Sequence, residues 1–167
     1  PDMIALTKGL ANGKPLSVLL EREYLTQNPY AVRPMERSST FAAHPEALAV
    51  AAELLQMLRE EDIFENVNQC GELLRQLLDG MTERFMSIGE ARSLGLMGAI
   101  EFVKNRKTKE PNVQLGRSVH KKCRENGLET IGGGHILRLA PPLNINCTDL
   151  KTGMEILEKS IAEAERG

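Results

Sequence analysis

Between residues 45 and 85 apolar side chains recur at helical spacing, and this commits the middle of the chain to long helices. Pro45 suits a first helical turn, where its missing N–H costs nothing. Leu48, Ala51, Ala52, Leu55 and Leu58 then fall on one face. Glu60-Glu61-Asp62 interrupts the stripe, and a second runs through Ile63, Val67, Cys70, Leu74, Leu77, Leu78, Met81 and Phe85. Two amphipathic helices, or one bent helix, fit this stretch, and both stripes read as core packing.

The pattern changes after Ser87. Residues 88–93 and 96–103 read as paired strands. Residues 104–111 are mostly charged and read as a solvated loop tip. Residues 113–126 form a helix that Asn126-Gly127 stops. Residues 128–131 and 135–139 read as strands around Gly132-Gly133-Gly134, and Thr148 or Asp149 caps a last helix carrying Leu150, Met154, Leu157 and Ile161. Helices against a small, largely antiparallel sheet follow from that order, an α+β unit. Upstream, residues 2–7 and 15–20 read as two strands with Gly13-Lys14 turning between them. Residues 21–34 read as a short helix and a loop.

Size and composition narrow the function classes. A chain of 167 residues can bury a real core. A net charge of -2 gives no reason to expect nucleic acid or an anionic membrane surface as partner. No apolar run is long enough to cross a bilayer. Aromatic residues, at 4%, are too scarce for a base-stacking surface. Cys70, Cys123 and Cys147 show no CxxC spacing and read as scattered reduced thiols, which suits a cytoplasmic protein. His44, His120 and His135 lack metal-ligand spacing, and no metal is assigned. The triple glycine lacks the residues of a phosphate loop and reads as a flexible turn.

Three places carry candidate chemistry. In Asp2-Met3-Ile4-Ala5-Leu6-Thr7-Lys8-Gly9 an apolar strand runs into a lysine. Burial at a strand end disfavours an ammonium ion and frees the amine as a nucleophile, the form a Schiff-base lysine requires. Gly9 lets a flat ligand approach the backbone. A plain solvated lysine is the other reading. Ser39 and Thr40 precede the helix that starts near Pro45, and hydroxyls beside free N–H groups suit a phosphate as well as an ordinary cap. Arg138 is followed by Leu139-Ala140-Pro141-Pro142, whose two prolines stiffen the chain. It suits either a bidentate grip on a carboxylate or a surface ion pair.

Four segments taken together, in order, resemble the C-terminal part of a class III aminotransferase. They are the Lys8 segment, Ser38-Ser39-Thr40-Phe41-Ala42-Ala43-His44-Pro45, Arg92-Ser93-Leu94-Gly95-Leu96-Met97-Gly98-Ala99-Ile100-Glu101, and Arg138-Leu139-Ala140-Pro141-Pro142-Leu143. The family includes the acetylornithine, ornithine, 4-aminobutyrate and other ω-amino-acid transaminases. The resemblance covers essentially the whole chain. It implies pyridoxal 5'-phosphate as cofactor and an α/β to α+β architecture: the end of the large domain of a fold-type-I transferase over residues 1–86, and the small C-terminal domain over 87–167.

The resemblance also implies roles. Lys8 matches the lysine that carries the cofactor as a Schiff base and shuttles the substrate proton. Thr40, with Ser39 beside it, matches a residue that contacts the cofactor phosphate of a neighbouring subunit, which implies a homodimer with shared sites. Arg138 matches a residue that binds the carboxylate of an amino donor or a 2-oxo acid acceptor. Arg92, Gly95 and Gly98 read as structural. The chain departs from the family where Ala42-Ala43 replaces a common Gly-Gly and His44 replaces a frequent Asn.

The activity so implied is transfer of an amino group from an ω-amino acid, ornithine-like or diamine donor to a 2-oxo acid. Nothing here matches the family's acidic partner of the pyridinium nitrogen, its phosphate loop or its stacking aromatic. The expectation is therefore a C-terminal fragment, inactive alone, whose first forty residues are mobile, misplaced or covered by another chain. The alternatives are a non-catalytic or assembly domain, and a class III aminomutase or decarboxylase.

Overall fold

The computed structural model describes residues 1–27, 40 and 42–167, which form two compact units, Pro1–Asp62 and Ile63–Gly167. The sequence reading sets the domain boundary after residue 86. The compact units divide earlier because the helix at 63–84 buries its apolar face in the second unit.

The first unit opens with strand β1 (Met3–Leu6), a 3-10 turn (Lys8–Ala11) and strand β2 (Val18–Glu21). The strands pair antiparallel, Met3 opposite Glu21 and Leu6 opposite Val18. Helix α1 (Glu23–Thr26) is one turn long, and helix α2 (Pro45–Glu60) starts on Pro45 as expected. Among the described residues of this unit the buried ones are small: Ala11, Ala47 and Ala51. Most of the first helical stripe is not core in this chain. Leu48, Ala52 and Leu55 are exposed, and so is every residue of β1.

The second unit is built on helix α3 (Ile63–Arg84) and a four-stranded sheet. Cys70, Leu74, Leu78 and Met81 of α3 are fully buried, so the second stripe is core packing as expected. Strands β3 (Ile88–Leu94) and β4 (Met97–Asn105) form an antiparallel hairpin, and strand β5 (Glu110–Pro111) folds back on the far end of β4. Strand β6 (Ile136–Leu139) pairs with residues 98–101 of β4, so β5 and β6 share the edge opposite β3. Helices α4 (Val113–Glu125) and α5 (Cys147–Arg166) complete the core with Val119, Cys123, Leu157 and Ile161.

Local chemistry sets the ends of these elements. Asn112 caps α4 by accepting from the Leu115 amide at 3.1 Å. Gly127, at φ +89, ends it, with the Leu128 amide donating to the Cys123 carbonyl at 2.8 Å. The last helix is capped by Asn146, whose side chain accepts from the Asp149 amide at 2.8 Å, rather than by Thr148 or Asp149, which are already helical. Residues 128–131 do not form a strand. Only Ile131 bridges to Arg138, because the glycine turn brings the chain back at once. Nor is 104–111 merely a solvated tip. It contains the end of β4 and all of β5, and Arg106 turns inward to donate to the carbonyls of Thr82, Phe85 and Ile88.

Candidate functional site

Lys8 begins the 3-10 turn in the left-handed region, at φ +60. A lysine adopts that conformation only where its surroundings impose it, and such positions concentrate at functional sites. The turn is closed by the Asn12 amide donating to the Gly9 carbonyl at 3.1 Å and the Lys14 amide donating to the Ala11 carbonyl at 2.9 Å. Thr7, just before it, donates its hydroxyl to the Leu16 carbonyl at 3.0 Å and ties the turn to the start of the second strand.

These residues surround an open cavity of about 470 Å³, lined by Thr7, Lys8, Gly9, Asn12, Gly13, Lys14, Pro15 and Leu16. Its size suits a small cofactor. A Cβ placed on Gly9 would meet nothing within 4 Å, so the space beside Lys8 is open to a flat ligand, as the sequence suggests. Lys8 thus lines an open space beside Gly9 in which a small ligand has room. The burial expected of Lys8 is not found. Lys8 and the whole of β1 are exposed.

Thr40 lies in the same unit, exposed and in a turn, and does not line the Lys8 cavity. Ser39 lies outside the described residues. His44 stands at the N-cap of α2 without a side-chain cap bond. Glu46 in the first turn pairs with Lys14 at 2.8 Å, and Lys14 holds the Glu46 carboxyl below the usual carboxylate range. Ala43 has φ +56, in the place where the resembling family commonly has glycine.

Arg138 lies in β6 of the second unit. Its backbone exchanges hydrogen bonds with Ile131 at 2.8 and 3.2 Å, which fixes its strand register. The side chain is exposed and forms no ion pair with a carboxylate among the described residues. It borders two cavities. One, of about 390 Å³, is walled mainly by apolar residues, among them Leu74, Leu139, Pro141, Pro142, Ile145 and Met154. The other, of about 360 Å³, is lined by residues 131–136 with Arg138. Arg92, read as structural, pairs with Glu101 across the hairpin at 2.9 Å and with Glu90 of its own strand at 3.1 Å, and these carboxylates raise its basicity.

Sequence reasoning missed Asn12 and Lys14 as walls of the Lys8 cavity. The Asn12-Gly13 turn dipeptide was the available signal. It also missed a contact between Cys70 and Cys147, whose sulfurs are 2.8 Å apart.

The fold is that of a fold-type-I, pyridoxal-phosphate-dependent transferase. An amine transaminase from an uncultivated Pseudomonas species, solved in its PLP-bound form, superposes with a TM-score of 0.90 at 26% identity, over 98% of this chain and 39% of that one. The family model for class III aminotransferases matches residues 1–161, and the chain belongs to that family. Pyridoxal phosphate is the family's cofactor. A probable 4-aminobutyrate aminotransferase of Bacillus subtilis is 32% identical over 96% of this chain and 37% of its own length. A leucine/methionine racemase of Thermococcus litoralis is 30% identical over 100% of this chain and 37% of its own length. The chain thus spans under two fifths of these relatives. Among the described residues, no helix is long and apolar enough to cross a membrane.

Proposed function

We propose that this chain supplies the lysine, part of the phosphate grip and the carboxylate grip of a pyridoxal-phosphate-dependent aminotransferase. The whole protein would move an amino group from an ω-amino acid, ornithine-like or diamine donor to a 2-oxo acid. The observation that carries the reading is Lys8, held at φ +60 over an open cavity with clear space at Gly9, in a chain of this family. The bound cofactor supplies an electron sink. Lys8 anchors it covalently through its amine and, when released, carries the proton that leaves the substrate carbon. Thr40 and Ser39 bind phosphate, across a homodimer interface in the resembling enzymes. Arg138 orients a substrate carboxylate with two parallel hydrogen bonds.

In the whole protein, residues 1–86 close the large domain with long linking helices, and 87–167 form the small one. Our reading puts the protein in the cytoplasm and expects the 167-residue chain alone to be inactive. The test is reductive trapping. Whole protein is mixed with pyridoxal phosphate, reduced with borohydride and mapped by mass spectrometry, with Lys8→Ala as control. Stoichiometric label on Lys8 alone supports the reading, and label scattered over other lysines overturns it.

The racemase among the relatives favours a second reading, in which the same lysine serves stereochemical inversion of an amino acid. Inversion without consumption of a 2-oxo acid would distinguish it from transamination.

A further inference from the structure

Two thiols far apart in sequence meet in the second unit. Cys70 lies midway along α3 and is fully buried. Cys147 is the first residue of α5 and half-buried. Their sulfurs are 2.8 Å apart, inside ordinary non-bonded contact and within about 1 Å of a disulfide bond length. The surroundings hold them there. Asn66, one turn before Cys70, donates its side-chain amide to the carbonyls of Leu143 at 2.7 Å and Ile145 at 3.0 Å, pinning the segment that leads into Cys147. The Cys70 sulfur also lies 3.5 Å from the Ile145 carbonyl. Among the described residues no third His, Cys, Asp or Glu joins the pair, so a metal site is not formed.

We infer that Cys70 and Cys147 are a redox-active dithiol that low-molecular-weight disulfides close into an intramolecular disulfide. The order of events follows from exposure. Cys147 is the more exposed of the two residues, which gives it the attacking role. Its thiolate attacks the small disulfide, forms a mixed disulfide and releases one small thiol. Cys70 then gives up its proton, attacks the Cys147 sulfur and releases the second small thiol. Two protein thiols are oxidised and one small disulfide is reduced to two thiols. Burial, reinforced by Cys147, pushes the Cys70 thiol up to about 11, which suits the resolving rather than the attacking role. Closure would staple α3 to the start of α5. Leu74 and Ile145, one on each side of the staple, both line the larger Arg138 cavity, so the bond would fix that wall. The inference does not depend on the cofactor reading.

The test equilibrates the whole protein with mixtures of reduced and oxidised glutathione, traps free thiols with iodoacetamide in denaturant, and maps them by mass spectrometry. Excess oxidised glutathione is expected to yield a Cys70–Cys147 cross-linked peptide, to leave Cys123 alkylatable, and to be reversed by dithiothreitol. The oxidised protein is expected to melt about 10 °C higher. In Cys70→Ser a stable glutathione adduct should accumulate on Cys147, while in Cys147→Ser Cys70 should stay unmodified. Retention of both thiols in native protein, a stable adduct on wild-type Cys147, or a bridge that uses Cys123 instead would overturn the inference. Wild-type mapping decides the matter even if a variant fails to fold.

Discussion

Gly116 of α4 and Gly134 of the glycine turn touch backbone to backbone: a Cβ on Gly116 would lie 2.1 Å from the Gly134 carbonyl oxygen. The turn that reads from sequence as merely flexible is therefore seated against a helix, and it is this seating that delivers the chain into β6 and Arg138. Gly116→Ala cannot be accommodated by rotating a side chain, since the obstacle is main chain. It is expected to destabilise by about 2 kcal/mol or more, despite the helix propensity of alanine. Gly80→Ala is the control, because a Cβ there, near the C-terminal end of α3, meets nothing within 4 Å. That variant should gain roughly 0.5–1 kcal/mol. Urea midpoints of the two variants moving in the same direction would contradict this account.

Arg106 joins the charged turn after β4 to the end of α3. Its guanidinium donates to the Phe85 carbonyl at 2.7 Å, to the Ile88 carbonyl at 2.9 Å and to the Thr82 carbonyl. A cation at a helix C-terminus also complements the helix dipole. Arg106→Ala leaves these carbonyls without that partner and is expected to cost about 2–3 kcal/mol. Arg106→Lys should recover only part of the loss, because an ammonium cannot reproduce the planar fork. Chemical denaturation of the three proteins checks the order, and a fully rescued lysine variant would show that charge alone matters.

The second unit was largely legible in the sequence, because its signals are local. The α3 stripe, the hairpin at residues 88–103 and the Asn126-Gly127 stop each depend on neighbours a few positions apart. What was not legible depends on distant contact. The Asn146 cap was overlooked although it lies one position before α5, since Thr148 and Asp149 carry the same side-chain chemistry. The strand at 128–131 failed because only Ile131 finds a partner. Cys70 and Cys147 meet across 77 positions, which no spacing rule registers. Of the candidate site, the open space at Gly9 was legible, whereas the exposure of Lys8 was not. The apolar run before it signals burial, but β1 is exposed along its whole length.

Ala43 holds a left-handed conformation, φ +56, immediately before α2. That conformation costs an alanine roughly 1–2 kcal/mol, while glycine adopts it freely but loses more chain entropy on folding. Ala43→Gly is therefore expected to stabilise the first unit by about 0.5–1 kcal/mol. Hydrogen exchange of the α2 amides should slow correspondingly. Faster exchange would mean that the methyl group makes a contact worth more than the strain.

Arg138 offers the sharpest test of the carboxylate grip, because its guanidinium is exposed, has no carboxylate partner in the described chain and borders an apolar cavity. A charge-assisted pair of hydrogen bonds contributes about 1.5–3 kcal/mol, equivalent to roughly 10- to 150-fold in kcat/KM. In the whole protein, Arg138→Met is expected to lower kcat/KM for a 2-oxo acid by that factor. The half-reaction with an amine donor that lacks a carboxylate should change far less. Arg138→Lys should fall between them, keeping the charge and losing the bidentate geometry. Equal losses for both donor types would assign Arg138 to holding β6 in place rather than to the substrate. Unchanged urea midpoints in both variants are the accompanying expectation, since no described contact of the guanidinium supports the fold.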